Sequence, residues 1–315
     1  MRKTSPVNHA LETADRRRFL KLAAVGAATA ALATEVAGGQ SRPLRRRARR
    51  VARQLGMKAD RVENHLIRMQ EDLRRALQKP VEQRDWVMVI DPRKCIGCDS
   101  CTISCKAENV TPPGMTYRRV PKIEFGAFPN ITRIFMPANC MQCDHPPCAV
   151  APGVPEGAIT KRPDGIVEID YTKLRGEAAQ AAARACPYSA LYVDDGSFYT
   201  ENTPHGLQPY ETRDFQEYDQ EYNRSQGGLP VGSGRKCHFC LHRLNQAMLP
   251  ACVTTCLGGA VFFGDRSDPQ SLVSELLAGH RVIRTKESLG TEPRVYYIDE
   301  PIEGRPHLSC TVCHP

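Results

Sequence analysis

Blocks of apolar and polar residues along this chain mark out a helix and several short strands. Val62, Leu66, Met69, Leu73 and Leu77 recur at steps of three and four, the spacing of one helical face, and Pro80 ends the run. Asp60 stands three residues before Glu63, a capping-box pattern that would start this helix. The run 86–90 reads as a strand, and residues 165–169, 190–193 and 261–263 read as further strands. An alanine-rich stretch ahead of Cys186 predicts a second helix. Residues 201–234 are polar and punctuated by Gly and Pro, which predicts a surface insertion.

The N-terminal quarter adds an address. Arg16 and Arg17 precede residues 22–32, an apolar stretch of mostly Ala and Gly that is too short and too weakly apolar to span a bilayer comfortably. Ala31, Leu32 and Ala33 offer a small-residue cleavage site. The pattern resembles a twin-arginine signal, which carries folded proteins, so residues 1–33 are expected to direct export to the periplasm. A basic arm follows, with Arg42, Arg45, Arg46, Arg47, Arg49, Arg50 and Arg53. It leads into the amphipathic helix, and together they make up residues 34–84. The arm could dock on a partner subunit or an anionic membrane, but a solvated arm and a helix packed on its own domain is the plainer reading. The net charge of +8 comes largely from this quarter, and no nucleic-acid-binding signature accompanies it, so nucleic acid is excluded as a partner.

Candidate chemistry lies in 14 cysteines that fall into groups at short, regular steps, a pattern that reads as metal rather than disulfide. Cys95, Cys98, Cys101 and Cys105 follow C-x2-C-x2-C-x3-C, the bacterial ferredoxin run, in which three thiolates hold one cluster and the fourth reaches a second. Cys140, Cys143 and Cys148 form a second group, Cys186 stands alone before Pro187, and Cys237, Cys240, Cys252 and Cys256 form the last. The alternative is a zinc-stabilised binding module, although zinc sites usually pair two short knuckles. His145 and His238 sit among these cysteines and are read as hydrogen-bond donors or surface residues rather than ligands. No nucleophile elbow, phosphate loop or paired carboxylate stands out.

The segments WVMVIDPRKCIGC (86–98), CMQCDHPPC (140–148), RKCHFC (235–240) and PACVTTC (250–256) resemble the four-cluster iron–sulfur subunits of molybdopterin oxidoreductases, such as the DMSO, polysulfide and tetrathionate reductases. The last segment looks nearest to tetrathionate or thiosulfate reductase subunits. The resemblance implies an α+β fold of two ferredoxin-like [4Fe-4S] units with inserted loops, spanning residues 85–265 after an N-terminal helical segment. It also implies a ligand set. Cys95, Cys98 and Cys101 would share a cluster with Cys256. Cys237, Cys240 and Cys252 would share one with Cys105, and Cys140, Cys143 and Cys148 one with Cys186.

The departure from the family is selective. The third group of the pattern falls near residues 173–184, where there is no thiol, and the remaining ligand of that same cluster falls at Pro152. One site is therefore expected to be deleted and three kept, with a short insertion needed to align Cys186. The resemblance places the lost cluster at the end of the wire that faces the membrane partner.

Two cysteines remain, in residues 266–315, a C-terminal extension. Cys310, Cys313 and His314 form Cys-x2-Cys-His, the haem c attachment motif, with His314 as the expected axial ligand. The expectation is an electron-transfer subunit that is not catalytic alone. It would carry three [4Fe-4S] clusters and one haem c, between a catalytic molybdopterin subunit and a quinone-linked membrane subunit or cytochrome. An iron–sulfur relay of a membrane complex without molybdenum is the alternative within the same class.

Overall fold

The computed structural model describes residues 64–225 and 227–301. The twin arginines, the basic arm, Asp60, Val62, Cys310, Cys313 and His314 lie outside the described residues. The first helix, α1 (His65–Ala76), is capped by Asn64, whose side chain accepts the Leu66 N–H, so it is this Asx residue rather than Asp60 that caps it. Met69, Leu73 and Ala76 are buried, whereas Leu66 is 38% exposed. The buried face thus centres on Met69 and Leu73, and the Met69 sulfur accepts the Phe263 N–H at 3.2 Å.

From α1 the chain runs through β1 (Trp86–Ile90), α2 (Ser100–Asn109), β2 (Lys122–Ala127), β3 (Asn130–Phe135), β4 (Ile159–Lys161), β5 (Val167–Ile169), α3 (Gly176–Ala185) and β6 (Leu191–Val193). It continues through α4 (Pro209–Thr212), β7 (Phe215–Glu217), β8 (Gln220–Tyr222), β9 (Gly234–Lys236), α5 (Leu241–Asn245) and α6 (Ala251–Thr254). The last elements are β10 (Val261–Asp265), α7 (Leu272–Gly279), β11 (Val282–Ile283) and β12 (Val295–Ile298). Helices and mostly antiparallel strands are mixed, an α+β arrangement.

The largest sheet has the order β10-β1-β12-β11. Every residue of β1 is buried, which explains an apolar run without alternation. Such a strand needs a partner on each edge. It pairs antiparallel with β10, Ile90 opposite Val261, and parallel with β12, Met88 opposite Val295. Residues 64–84 and 266–301 pack with residues 85–265: α1 lies on β10, in keeping with the plainer reading of that helix, and β12 pairs with β1. A boundary drawn from cysteine positions could not reveal a strand partner some 200 residues away.

A second pairing echoes the first. β9, which enters Cys237, pairs antiparallel with β6, which leaves Cys186, just as β1 enters Cys95 and pairs with the strand that leaves Cys256.

The polar segment 201–234 is not confined to the surface. Glu217 and Arg224 are buried, and with Asp194 and Arg235 they form an internal ion-pair network. Mutual pairing lets these charges leave water, so a segment that reads as loop contributes to the interior.

Candidate metal centre

Local chain geometry gathers the first quartet. After the turn Pro92–Lys94 the chain loops through Gly97, at φ +66°, where a Cβ would lie 2.4 Å from a ring carbon of Phe135. Only glycine serves at that point. The distant Cys256 is brought in by a close backbone approach: a Cβ on Gly258 would lie 2.1 Å from the Lys94 carbonyl oxygen. Cys95, Cys98, Cys101 and Cys256 line one cavity. Cys98 is exposed, and the Ser100 hydroxyl and amide pull its thiol below the usual range. The Cys256 sulfur accepts the Ala260 N–H at 3.2 Å.

Cys105 lies four residues beyond Cys101 on α2, about one helical turn and 6 Å of rise away. It lines a second cavity with Cys237, Cys240 and Cys252. Burial pushes its thiol well up, reinforced by the neighbouring thiols of Cys240, Cys237 and Cys252. The third quartet is recognised the same way. Burial raises Cys143 to about 12, assisted by Cys140, Cys148 and Cys186. Cys148 also stands at about 12, from burial and then from Cys140.

The quartets are linked in order, the first to the second through α2 and the second to the third through Gln142. After burial and Arg118, the Cys252 thiol responds to Cys101, which joins the first two quartets. After burial and Cys252, Cys237 responds to Cys140, which joins the second and third. Gln142 secures the latter junction: its amide donates to the Cys237 carbonyl at 2.6 Å and accepts the Val167 N–H at 2.8 Å. The structure thus brings together the sets of four cysteines that the resemblance implies.

The donor sets suit iron–sulfur clusters. Soft thiolates in fours satisfy all four irons of a cubane. Among the described residues no three His, Cys, Asp or Glu side chains converge closely enough for a single metal ion. Thiols raised by burial must lose their protons as iron binds, so filling the sites releases protons.

The position at which the resemblance expects a fourth quartet is packed. Counting back from Cys186 by the ferredoxin spacing lands on Ala182, Ala179 and Gly176, with no insertion needed. Ala179 and Ala182 are fully buried in an apolar cluster with Leu174, Tyr171, Ile169 and Leu191. The turn at Pro152 meets the same helix, since a Cβ on Gly153 would lie 3.8 Å from the Ala181 Cβ.

His145 lines neither cavity, whereas His238 lines the second beside Cys105, Cys237, Cys240 and Cys252. His145 is exposed and lies 4.0 Å from Glu292. His238 is buried and accepts the Leu241 N–H on Nδ1, so its proton sits on Nε2, which faces Asn109 Oδ1 at 3.2 Å. The Asn109 amide in turn donates to the Cys105 sulfur at 3.4 Å. Asn109, Gln142 and the buried Arg118 are site residues that cysteine spacing did not reveal, since an isolated polar residue carries no periodic signal.

Comparison with known proteins agrees with this geometry. Residues 131–203 and 218–266 match a 4Fe-4S dicluster domain family. The chain is 53% identical over 233 residues, 74% of its length and 78% of the relative's, to the B subunit of selenate reductase from Mesobacillus selenatarsenatis. It is 35% identical over 217 residues, 68% of its length and 72% of the relative's, to the B subunit of tetrathionate reductase from Salmonella typhimurium. To the corresponding B component of polysulfide reductase from Wolinella succinogenes it is 32% identical over 219 residues, 68% of its length and 94% of the relative's. With cysteine groups built for [4Fe-4S] clusters and these relatives at its side, this protein belongs to the iron–sulfur electron-transfer subunits of the molybdopterin reductase complexes, which are not catalytic alone.

Proposed function

We propose that this chain is an exported, periplasmic relay with three [4Fe-4S] clusters and one haem c, set between a catalytic molybdopterin subunit and a quinone-linked membrane subunit or cytochrome. The observation that carries the reading is the linked set of three thiol quartets, each drawn from two separated stretches of chain. Bound there, a [4Fe-4S] cluster takes up and releases one electron at a time. The chain's own part is to hold the clusters close together, to shield them with apolar side chains and to present one end, at the exposed Cys98, to a partner.

In this reading residues 85–265 hold two ferredoxin-like units, related by the repeated pairing of β1 with β10 and β9 with β6, and the packed alanines of α3 stand where a fourth cluster was lost. Cys310, Cys313 and His314 hold the haem at the end where that cluster is missing, and Arg16 and Arg17 direct export. The catalytic partner acts on a chalcogen oxyanion, a reading supported by the names of the selenate and tetrathionate reductase relatives.

Iron and acid-labile sulfide measured on the purified chain test the cluster count. About twelve sulfides per chain are expected, and close to sixteen would overturn the three-cluster count. Covalent haem should survive denaturing electrophoresis and be lost in Cys313→Ala, and a native chain without it refutes the haem. Replacing Arg16 and Arg17 together by Lys should leave the protein in the cytoplasm.

A further inference from the structure

Arg118 is the one buried cation lining the second cavity, where it joins Cys105, Cys237, Cys240 and Cys252. It is 1% exposed. Its Nη1 donates to Asn139 Oδ1 and, at 3.3 Å, to the Met88 sulfur. Its Nε and Nη2 are buried with no hydrogen-bond partner, and among the described residues no carboxylate pairs with it. The equally buried Arg235 makes the contrast, because it is held by Asp194 at 2.8 Å and Glu217 at 3.0 Å.

A guanidinium cannot shed its proton, and burying one without an anion costs several kcal/mol, so a compensating negative charge is required. Among the described residues, the groups beside it that can carry that charge are thiols of two quartets. Arg118 lines the second cavity with Cys252 and lies beside Cys101 of the first quartet. Cys95 and Cys101 belong to the first quartet, Cys105 and Cys252 to the second.

We propose that Arg118 is a buried counter-charge shared by the first and second clusters and that it raises the reduction potential of both. The inference rests on the three-cluster reading above. A thiolate-ligated cluster is negative and becomes more so on reduction, so a fixed neighbouring cation favours the reduced form. Two donors left over in the cavity wall are also the kind of group that tunes a cluster through its sulfurs.

The test is a redox titration of the intact, cluster-loaded protein followed by EPR, comparing wild type, Arg118→Gln and Arg118→Lys. Wild type is measured first: absence of the first two clusters there would overturn the relay reading itself, separately from this inference. With those clusters present, Arg118→Gln should shift both toward the oxidised form by about tenfold at a given potential, equivalent to about 59 mV for one electron. The third cluster should stay unmoved, and Arg118→Lys, which keeps the charge, should keep the wild-type potentials. Loss of the first two clusters in Arg118→Gln but not in Arg118→Lys equally supports a required charge. If the two variants behave alike, or if all three clusters shift together, the proposal is wrong.

Discussion

The side-chain amide of Asn109 donates to the sulfur of Cys105 across 3.4 Å while its oxygen faces the Nε2–H of His238. A hydrogen bond to a ligand sulfur withdraws charge and favours the reduced cluster. Asn109→Leu should therefore lower the potential of the cluster held by Cys105, by an amount on the order of 1 kcal/mol, one hydrogen bond. An EPR-monitored titration in which that signal stays in place would discount the contact.

Gly258 passes the Lys94 carbonyl so closely that a Cβ would lie 2.1 Å from its oxygen. Gly258→Ala must push the Cys256 loop away from the Cys95 loop. The expected result is loss of the first cluster alone, with labile sulfide falling by about four per chain while the other two signals persist. Full sulfide content in this variant would mean the approach is looser than the geometry indicates.

Much of the site is legible in the amino-acid sequence. The run 86–90 is the observed strand to the residue, and the cysteine groups stand out because both patterns are local and repeat at short steps, whereas the distant fourth member of each quartet comes from the family resemblance. The exceptions have physical reasons. Asn64 caps the helix through the Leu66 N–H, a local contact that the capping-box pattern at Asp60 and Glu63 passes over. β12 joins β1 across a long sequence gap that no periodicity records. Glu217 and Arg224 read as loop because each is hydrophilic alone, and their burial depends on partners far along the chain.

That network has a pH signature. Burial would raise the pKa of Glu217, but the charge of Arg235 and then the nearby His238 bring it to about 2. A depressed carboxylate contributes stability that is complete above its unfolded value near 4.5 and fades as pH falls toward about 2. Glu217→Gln should cost on the order of 3 kcal/mol near neutral pH. Urea unfolding of both proteins should show this gap constant from pH 7 to 5 and narrowing below about 4.5.

The packed alanines of α3 give a prediction of the opposite kind. Ala182 is fully buried beside an apolar cluster, so Ala182→Leu should overfill it at a cost of about 1–3 kcal/mol. Iron content should remain unchanged in the soluble fraction, since no ligand is touched. A fall in the thermal midpoint without loss of iron is the expected pair of readings.

Cys186 closes the third quartet from the far end of that same helix. Cys186→Ser should erase the spectroscopic signal of the cluster held by Cys140, Cys143 and Cys148 and leave the other two. Loss of a different signal would reassign this ligand.

Cys101 and Cys105 are held on one hydrogen-bonded helix. Electron tunnelling weakens exponentially with the gap it must cross, so this helix acts as a ruler for the first hop. Its backbone ladder keeps the two anchors at a set rise and bearing whatever the surrounding loops do. Inserting one residue between them would swing Cys105 by about 100° and move it about 1.5 Å, enough to turn its sulfur out of the second cavity. The pace of the hop is thus written into the pitch of a helix.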